Sequence, residues 1–148
     1  MMIKKILLPF DGSALSKKAL ELAKDIARNF NADLSLFMVI PIYYPISDSF
    51  FSGVSAANYR KMERVLQDEG KKKISKVVEK CRQEGVKAGF KIVSDDVSQA
   101  IMKEARRSRP DLIIMGSRRM TGISSIKRLG STARYVSEHS TCPVTIVH

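Results

Sequence analysis

The chain has 148 residues, 44% of them hydrophobic and 28% charged, which excludes a disordered, collagen-like or coiled-coil protein. No apolar stretch approaches the ~18 residues that span a bilayer, and the first is too short for a signal peptide, so we expect one cytoplasmic domain over residues 1–148 with no membrane partner. The net charge of +11 favours polyanions, but charge alone predicts only weak, salt-sensitive association with nucleic acid.

Short apolar runs alternate with amphipathic segments in the first half of the chain. Residues 3–10 predict a strand buried on both faces, since Asp11 and Gly12 stop an apolar run. A helix is predicted from about residue 13, and residues 34–40 predict a second strand before a surface excursion at residues 41–56. The predicted apolar face of the helix comprises Leu15, Ala19, Leu22, Ala23, Ile26 and Phe30.

The second half continues this alternation. Residues 57–84 predict a long helix in which Gly70 permits a kink, and residues 86–93 alternate like a strand near a sheet edge. Asp96 or Ser98 can cap the next helix, and Ser131 can cap a last one through His139. Strands are predicted at residues 112–115 and 143–147. The long helix has an apolar stripe of Tyr59, Met62, Val65, Leu66, Ile74, Val77, Val78 and Cys81.

Strands that alternate with helices predict a parallel sheet with helices on both faces, because the crossovers are right-handed. If the first strand is central, as its apolar run indicates, the strand order is 3-2-1-4-5. The fold class is then a three-layer α/β sandwich with a five-stranded parallel sheet. The order reverses between the first and fourth strands, whose carboxyl ends form a ligand crevice.

One side of this crevice is the glycine-bearing loop that follows Met115 and ends at a predicted helix N-terminus. The backbone amides of Gly130, Ser131 and Thr132, together with the helix dipole, can form an anion pocket there. A simpler interpretation stays open, in which Gly116 only turns the chain and Ser131 is only a helix cap.

The other side carries Asp11, at the tip of the first strand. Its carboxylate can accept hydrogen bonds from ribose hydroxyls, and an adenine can lie against the end of the second strand near Val39. Asp11 and Gly12 can equally form an ordinary strand-to-helix turn. The two sides together predict a site for an adenosine phosphate.

Four segments resemble the universal stress protein family: ILLPFDGS at residues 6–13, MGSR at 115–118, LGS at 129–131 and HSTCPVTIV at 139–147. The resemblance covers essentially the whole chain. It implies a flavodoxin-like sandwich, similar to the adenine-nucleotide α-hydrolases, and a homodimer paired through the last strand, Val144–Val147. Some members of the family bind ATP and others do not.

The ATP-binding members carry Gly-x-x-Gly, then nine residues, then Gly followed by Ser or Thr. Gly116, Gly130 and Ser131 fit this pattern, but Arg119 occupies the second glycine position and ten residues separate it from Gly130. Arg119 can obstruct a triphosphate, or its guanidinium can replace the lost amide with a bidentate phosphate contact.

We therefore favour a stress-response protein that binds ATP, with or without Mg²⁺, or a related adenine nucleotide. The alternative is a dimeric interaction module of the same family with an empty crevice. No P-loop and no base for an attacking water are found, so at most slow ATP hydrolysis is expected, and no catalytic or metal-binding residue is assigned. The candidate nucleotide-binding residues are Pro9, Asp11, Ser13, Val39, Met115, Gly116, Ser117, Arg118, Arg119, Gly122, Gly130, Ser131 and Thr132.

Overall fold

The computed structural model describes residues 2–42, 56–117 and 129–148. The expected surface excursion therefore lies largely outside the described residues. None of the described helices is both long and apolar enough to cross a bilayer. In chain order the elements are β1 (Lys5–Pro9), α1 (Ala14–Phe30), β2 (Asp33–Pro41), α2 (Ala56–Gln83), β3 (Lys87–Asp95), α3 (Val97–Ser108), β4 (Leu112–Gly116), α4 (Ser131–His139) and β5 (Val144–Val147).

The strands form one parallel sheet in the order β3-β2-β1-β4-β5, which confirms the predicted order and the predicted edge strands. β1 is central because its side chains are buried on both faces: Ile6, Leu7 and Leu8 are at most 1% exposed. Ile6 and Leu8 pack in a cluster with α1 and α2, whereas Leu7 packs with α3 and α4. The result is the expected three-layer sandwich.

The predicted apolar face of α1 is wrong at Leu22 and Phe30, which are 37% and 49% exposed. Small side chains instead let the helix lie close to the sheet. Lys24 can also be buried there, because its Nζ lies 2.8 Å from Glu21 Oε1 and 2.7 Å from Glu84 Oε2. The residues of α1 that are buried are Ser16, Ala19, Leu20, Ala23, Lys24 and Ala27.

The apolar stripe predicted for α2 is correct only in the second half of the helix. There Ile74, Val78 and Cys81 are buried, whereas the first half exposes Met62, Val65 and Leu66. The helix runs through Gly70 as one element. A Cβ added at Gly70 would lie 2.9 Å from Met38 Sδ, so this glycine serves a close approach of α2 to β2.

Of the two residues predicted as possible caps of α3, the N-cap is Asp96, whose carboxylate accepts a hydrogen bond from the Gln99 N–H at 3.0 Å. Both cysteines are free: Cys81 is buried, and Cys142 is half-buried in the turn before β5.

The carboxylate of Glu104, on α3, is almost fully buried and is paired with two cations. Lys91 Nζ lies 2.9 Å from Oε2 of Glu104. Arg107 donates to the same oxygen from Nε at 3.0 Å and to Oε1 from Nη2. Burial by itself favours the neutral acid, but the hydrogen bonds from Arg107 and Lys91 outweigh it and lower the pKa of Glu104.

We therefore expect Glu104 to make the protein acid-sensitive. A lowered pKa in the folded state means that the stabilising effect is present above the ordinary carboxyl pKa of 4.5 and is lost as pH falls through the folded value. Glu104→Gln should cost about 1–2 kcal/mol of unfolding free energy near neutral pH. Denaturant unfolding should show the unfolding free energies of the wild type and Glu104→Gln converging as the pH falls below 4.5. A difference between them that does not change with pH would contradict this assignment.

Candidate functional site

A crevice of about 700 Å³ opens where β1, β2 and β4 end and where α1, α3 and α4 begin. This size lies within the range of small-molecule sites. The crevice lies at the predicted reversal of strand order, next to β1 and β4. The candidate residues that the structure brings together around it are Pro9, Asp11, Ser13, Val39, Met115, Gly116, Gly130, Ser131 and Thr132.

The remaining four candidate residues fall into two groups. Arg118, Arg119 and Gly122 lie outside the described residues. Ser117 is 1% exposed and is not among the residues that line the crevice. Its Oγ accepts a hydrogen bond from the Gly130 N–H at 3.2 Å. Its own N–H donates to the carbonyl of Val147 at 3.0 Å. Ser117 therefore ties the end of β4 to the start of α4 and to β5, and its contact with a nucleotide stays a prediction.

The start of α4 also differs from the expectation. Gly130 is the N-cap and, having no side chain, makes no side-chain cap bond, so Ser131 is the first helical residue rather than the cap. The Gly130 amide, expected to face an anion, is already bonded to Ser117. The first-turn amides of Ser131, Thr132 and Ala133 have no intrahelical acceptor. The predicted anion pocket thus moves one residue along the chain, from residues 130–132 to residues 131–133.

Asp11 occupies the turn that joins β1 to α1 and lines the crevice. Its Oδ1 accepts a hydrogen bond from the Ser13 N–H at 2.9 Å, and Gly12 provides the positive φ of 79° that the turn needs. Ser13 then caps α1, since its Oγ accepts from the Ser16 N–H at 3.2 Å. Asp11 therefore belongs to an ordinary turn and also lines the crevice with an exposed carboxylate.

The electrostatics of the crevice favour an anion near the helix N-termini that line it. Both α1 and α4 point their N-termini at it, and neither carries an acidic residue in its first turn. Each N-terminus contributes the positive end of a helix dipole, and first-turn amides without an intrahelical acceptor strengthen it. Among the described residues, no group of three His, Cys, Asp or Glu is arranged to hold a metal.

Sequence reasoning missed most of the apolar wall of the crevice. Val97 and Ile101 of α3 line it, as do Ile40 and Pro41 at the end of β2. A usable signal exists, because the ends of adjacent parallel strands and the starts of the helices that follow them meet at one edge of the sheet. Only the strand order shows that β2 and α3 reach the same opening as β1 and β4.

Gly116 holds two walls of the crevice together. A Cβ built at this position would lie 2.7 Å from the backbone carbon of Leu15 and 2.9 Å from its oxygen. β4 therefore ends in direct backbone contact with the first turn of α1. A side chain would force these elements apart, because neither backbone atom can move without displacing the helix.

Comparison with known proteins identifies a protein family that this chain matches over nearly its whole length. The family model described as the universal stress protein family matches residues 2–148. A universal stress protein of Methanocaldococcus jannaschii is 32% identical over 145 residues, which cover 97% of this chain and 81% of that protein. Universal stress protein YxiE of Bacillus subtilis is 31% identical over 149 residues, which cover 99% of both chains.

Solved structures share the same fold. The universal stress protein UspA from Lactobacillus plantarum has a TM-score of 0.82 at 19% identity, covering 100% of this chain and 99% of that one. A universal stress protein in complex with cAMP has a TM-score of 0.69 at 23% identity, covering 100% and 99%. A family protein of Arabidopsis thaliana with AMP bound has a TM-score of 0.67 at 22% identity, covering 97% and 90%.

The close approach at Gly116 predicts a difference between two strand glycines. Gly116→Ala should lower the unfolding free energy by about 1–3 kcal/mol, because the added methyl group meets the Leu15 backbone. Gly89→Ala is the matched control, since a Cβ there meets nothing within 4 Å. Denaturant unfolding measures both, and equal stability of the two variants would show that the Gly116 contact is not tight in solution.

Proposed function

We propose that this chain, which belongs to the universal stress protein family, binds an adenine nucleotide in the crevice between the ends of β1 and β4. The observation that carries the proposal is that one crevice is lined both by the N-terminal turn of α4, whose amides lack an intrahelical acceptor, and by Asp11 with its carboxylate. An adenine nucleotide presents the matching groups, a phosphate for the amides and ribose hydroxyl groups for the carboxylate. As part of this proposal, the protein acts in the cytoplasm in the stress response.

Each part of the nucleotide has a matching part of the crevice. The first-turn amides of residues 131–133 would take phosphate oxygens, because they have no partner within the helix. Asp11 would accept hydrogen bonds from the ribose. The adenine would lie on the apolar wall made by Val39, Ile40 and Val97, with the backbone at the end of β2 available to its ring edge.

Two proteins of the same fold support the choice of ligand class. The ligands named for them, cAMP and AMP, share adenine, ribose and phosphate. Because these proteins are below 25% identical to this chain, they support a class of ligand and not a set of contacts. The crevice supplies the independent argument, since it offers one region for each of the three groups.

We propose ATP, with Mg²⁺ as its usual counter-ion, as the first nucleotide to test. The length of the phosphate chain that fits depends on the loop carrying Arg118, Arg119 and Gly122, which lies outside the described residues. An arginine that pairs with phosphate favours ATP, and an arginine that fills the space favours a monophosphate. Titration with ATP, AMP and cAMP in parallel distinguishes these cases.

Gly130→Asp should abolish nucleotide binding. Its backbone angles, φ −59° and ψ 151°, are open to aspartate, which is also a favoured N-cap, so the helix should persist. The new carboxylate would stand beside the amides that receive phosphate and would repel it. Isothermal titration of the wild type, this variant and Gly89→Asp as a remote control tests the proposal. It fails if the wild type gives no heat with any adenine nucleotide, or if Gly130→Asp binds like the control.

We further propose that two copies pair through the outer edge of β5. No strand among the described residues pairs with that edge, and an unpaired edge strand is a site for association. The carbonyls of Pro143 and Val147 accept hydrogen bonds from β4 and the residue that follows it. Because successive residues of a strand alternate, the backbone N–H and C=O groups of Val144 and Ile146 face the outer edge, while their side chains pack on the core.

Val144→Pro should therefore weaken the dimer without breaking the sheet. Proline is tolerated at the first residue of a strand, and the N–H that it removes here points away from β4. Light scattering should give a dimer for the wild type and a larger monomer fraction for the variant. A monomeric wild type that still binds nucleotide would contradict the dimer and leave the nucleotide site intact.

A further inference from the structure

The solvent-facing side of α2 carries a continuous stripe that the nucleotide crevice does not use. In its first half, no described side chain of residues 57–69 is buried. Three apolar side chains stand out from that half, at 60%, 54% and 42% exposure: Met62, Val65 and Leu66. Exposure of this kind is costly in water unless the surface meets a partner.

Four lysines continue the same stripe in the second half of the helix: Lys72, Lys73, Lys76 and Lys80. Lys72, Lys76 and Lys80 follow at four-residue spacing and Lys73 lies three residues before Lys76, which keeps all four on one helical face. All four are exposed, and in the part of the chain that the structure describes none has a carboxylate within the 4.0 Å of an ion pair. One acidic residue, Glu69, lies between the two halves.

The apolar and basic halves form one elongated surface, which we call the α2 stripe. From Met62 to Lys80 it extends roughly 27 Å, given the 1.5 Å rise per residue of a helix. Because Ile74, Val78 and Cys81 bury the opposite side of the helix against the sheet, the stripe faces outward.

We propose that the α2 stripe docks on the surface of a lipid bilayer that contains anionic headgroups. Such a surface satisfies both halves at once: phosphate groups neutralise the four lysines, and the acyl boundary receives the methionine, valine and leucine side chains. A nucleic acid satisfies only the lysines and leaves the apolar half in water. The charge of +11, which the crevice leaves largely unused, adds a general attraction to the same surface.

This partner differs from the expectation of no membrane partner. That expectation rested on the lack of a segment able to span a bilayer, and docking on the surface requires no spanning segment. The stripe lies on α2, and the crevice lies at the carboxyl ends of the strands, lined by other elements. Docking therefore leaves the proposed nucleotide site open, and each proposal can fail without the other.

Cosedimentation with vesicles tests the docking. Vesicles of phosphatidylglycerol and phosphatidylcholine in equal parts should bind the wild type, and vesicles of phosphatidylcholine alone should not. The double variant Lys72→Glu with Lys76→Glu should weaken binding by at least about tenfold. Met62→Ser with Leu66→Ser should weaken it by a similar factor. The matched controls are Lys17→Glu and Leu22→Ser, which alter an exposed lysine and an exposed leucine of α1.

A fluorescent reporter tests insertion separately. The chain contains no tryptophan, so Leu66→Trp provides a single probe within the stripe and Leu22→Trp a matched probe outside it. On anionic vesicles the emission of the first probe should shift to the blue and that of the second should not.

Several outcomes would overturn the proposal. It is wrong if the wild type ignores anionic vesicles, or if the controls weaken binding as much as the stripe variants. Unchanged binding in the serine double variant, with no blue shift at position 66, would reduce the interaction to adsorption by charge. Retention on an acidic protein or RNA without retention on vesicles would assign the stripe to another partner. Nucleotide titration of every variant shows whether the fold and crevice are intact.

Discussion

β1 is buried on both faces, and the position of the crevice follows from that burial. Ile6, Leu7 and Leu8 need helices above and below them, so the chain extends the sheet on one side through β2 and β3 and on the other through β4 and β5. The two halves leave β1 in opposite directions. An opening remains where they diverge, and the starts of the connecting helices surround it. The crevice is thus a product of strand order.

In the described part of the chain, a close backbone contact and two hydrogen bonds of Ser117 hold together the elements that surround this opening. Gly116 brings the end of β4 against the first turn of α1 at Leu15. Immediately afterwards, Ser117 accepts the amide hydrogen of Gly130 and donates its own to Val147, which joins β4, α4 and β5. The positions of two helix N-termini are therefore set before any ligand arrives, and preorganised donors of this kind bind an anion at little further cost in ordering.

The errors in sequence interpretation have a common physical cause. The periodic spacing of apolar residues correctly located α1 and α2 but misplaced parts of their buried faces. The prediction assigned large apolar residues to the core without knowing which neighbouring elements would cover them. Lys24 is buried where Glu21 and Glu84 pair with it, and Leu22 is left outside. Met62 belongs to a part of α2 in which no described side chain is buried, so its apolar side chain has no core to enter. Whether a helical face is buried depends on what lies beside it.

The amino-acid pattern alone specified the strands. Once the first strand is taken as central, because its apolar run is buried on both faces, the strand order and the segments that meet at the crevice follow, since strand ends share an edge. Asp96 as the cap of α3 was also readable, since a cap is a local interaction. Tertiary structure alone decided that Ser117 is buried, that the amide of Gly130 is occupied and that the α2 stripe faces solvent. Each of these depends on contacts or spaces between segments far apart in the chain, which no local pattern encodes.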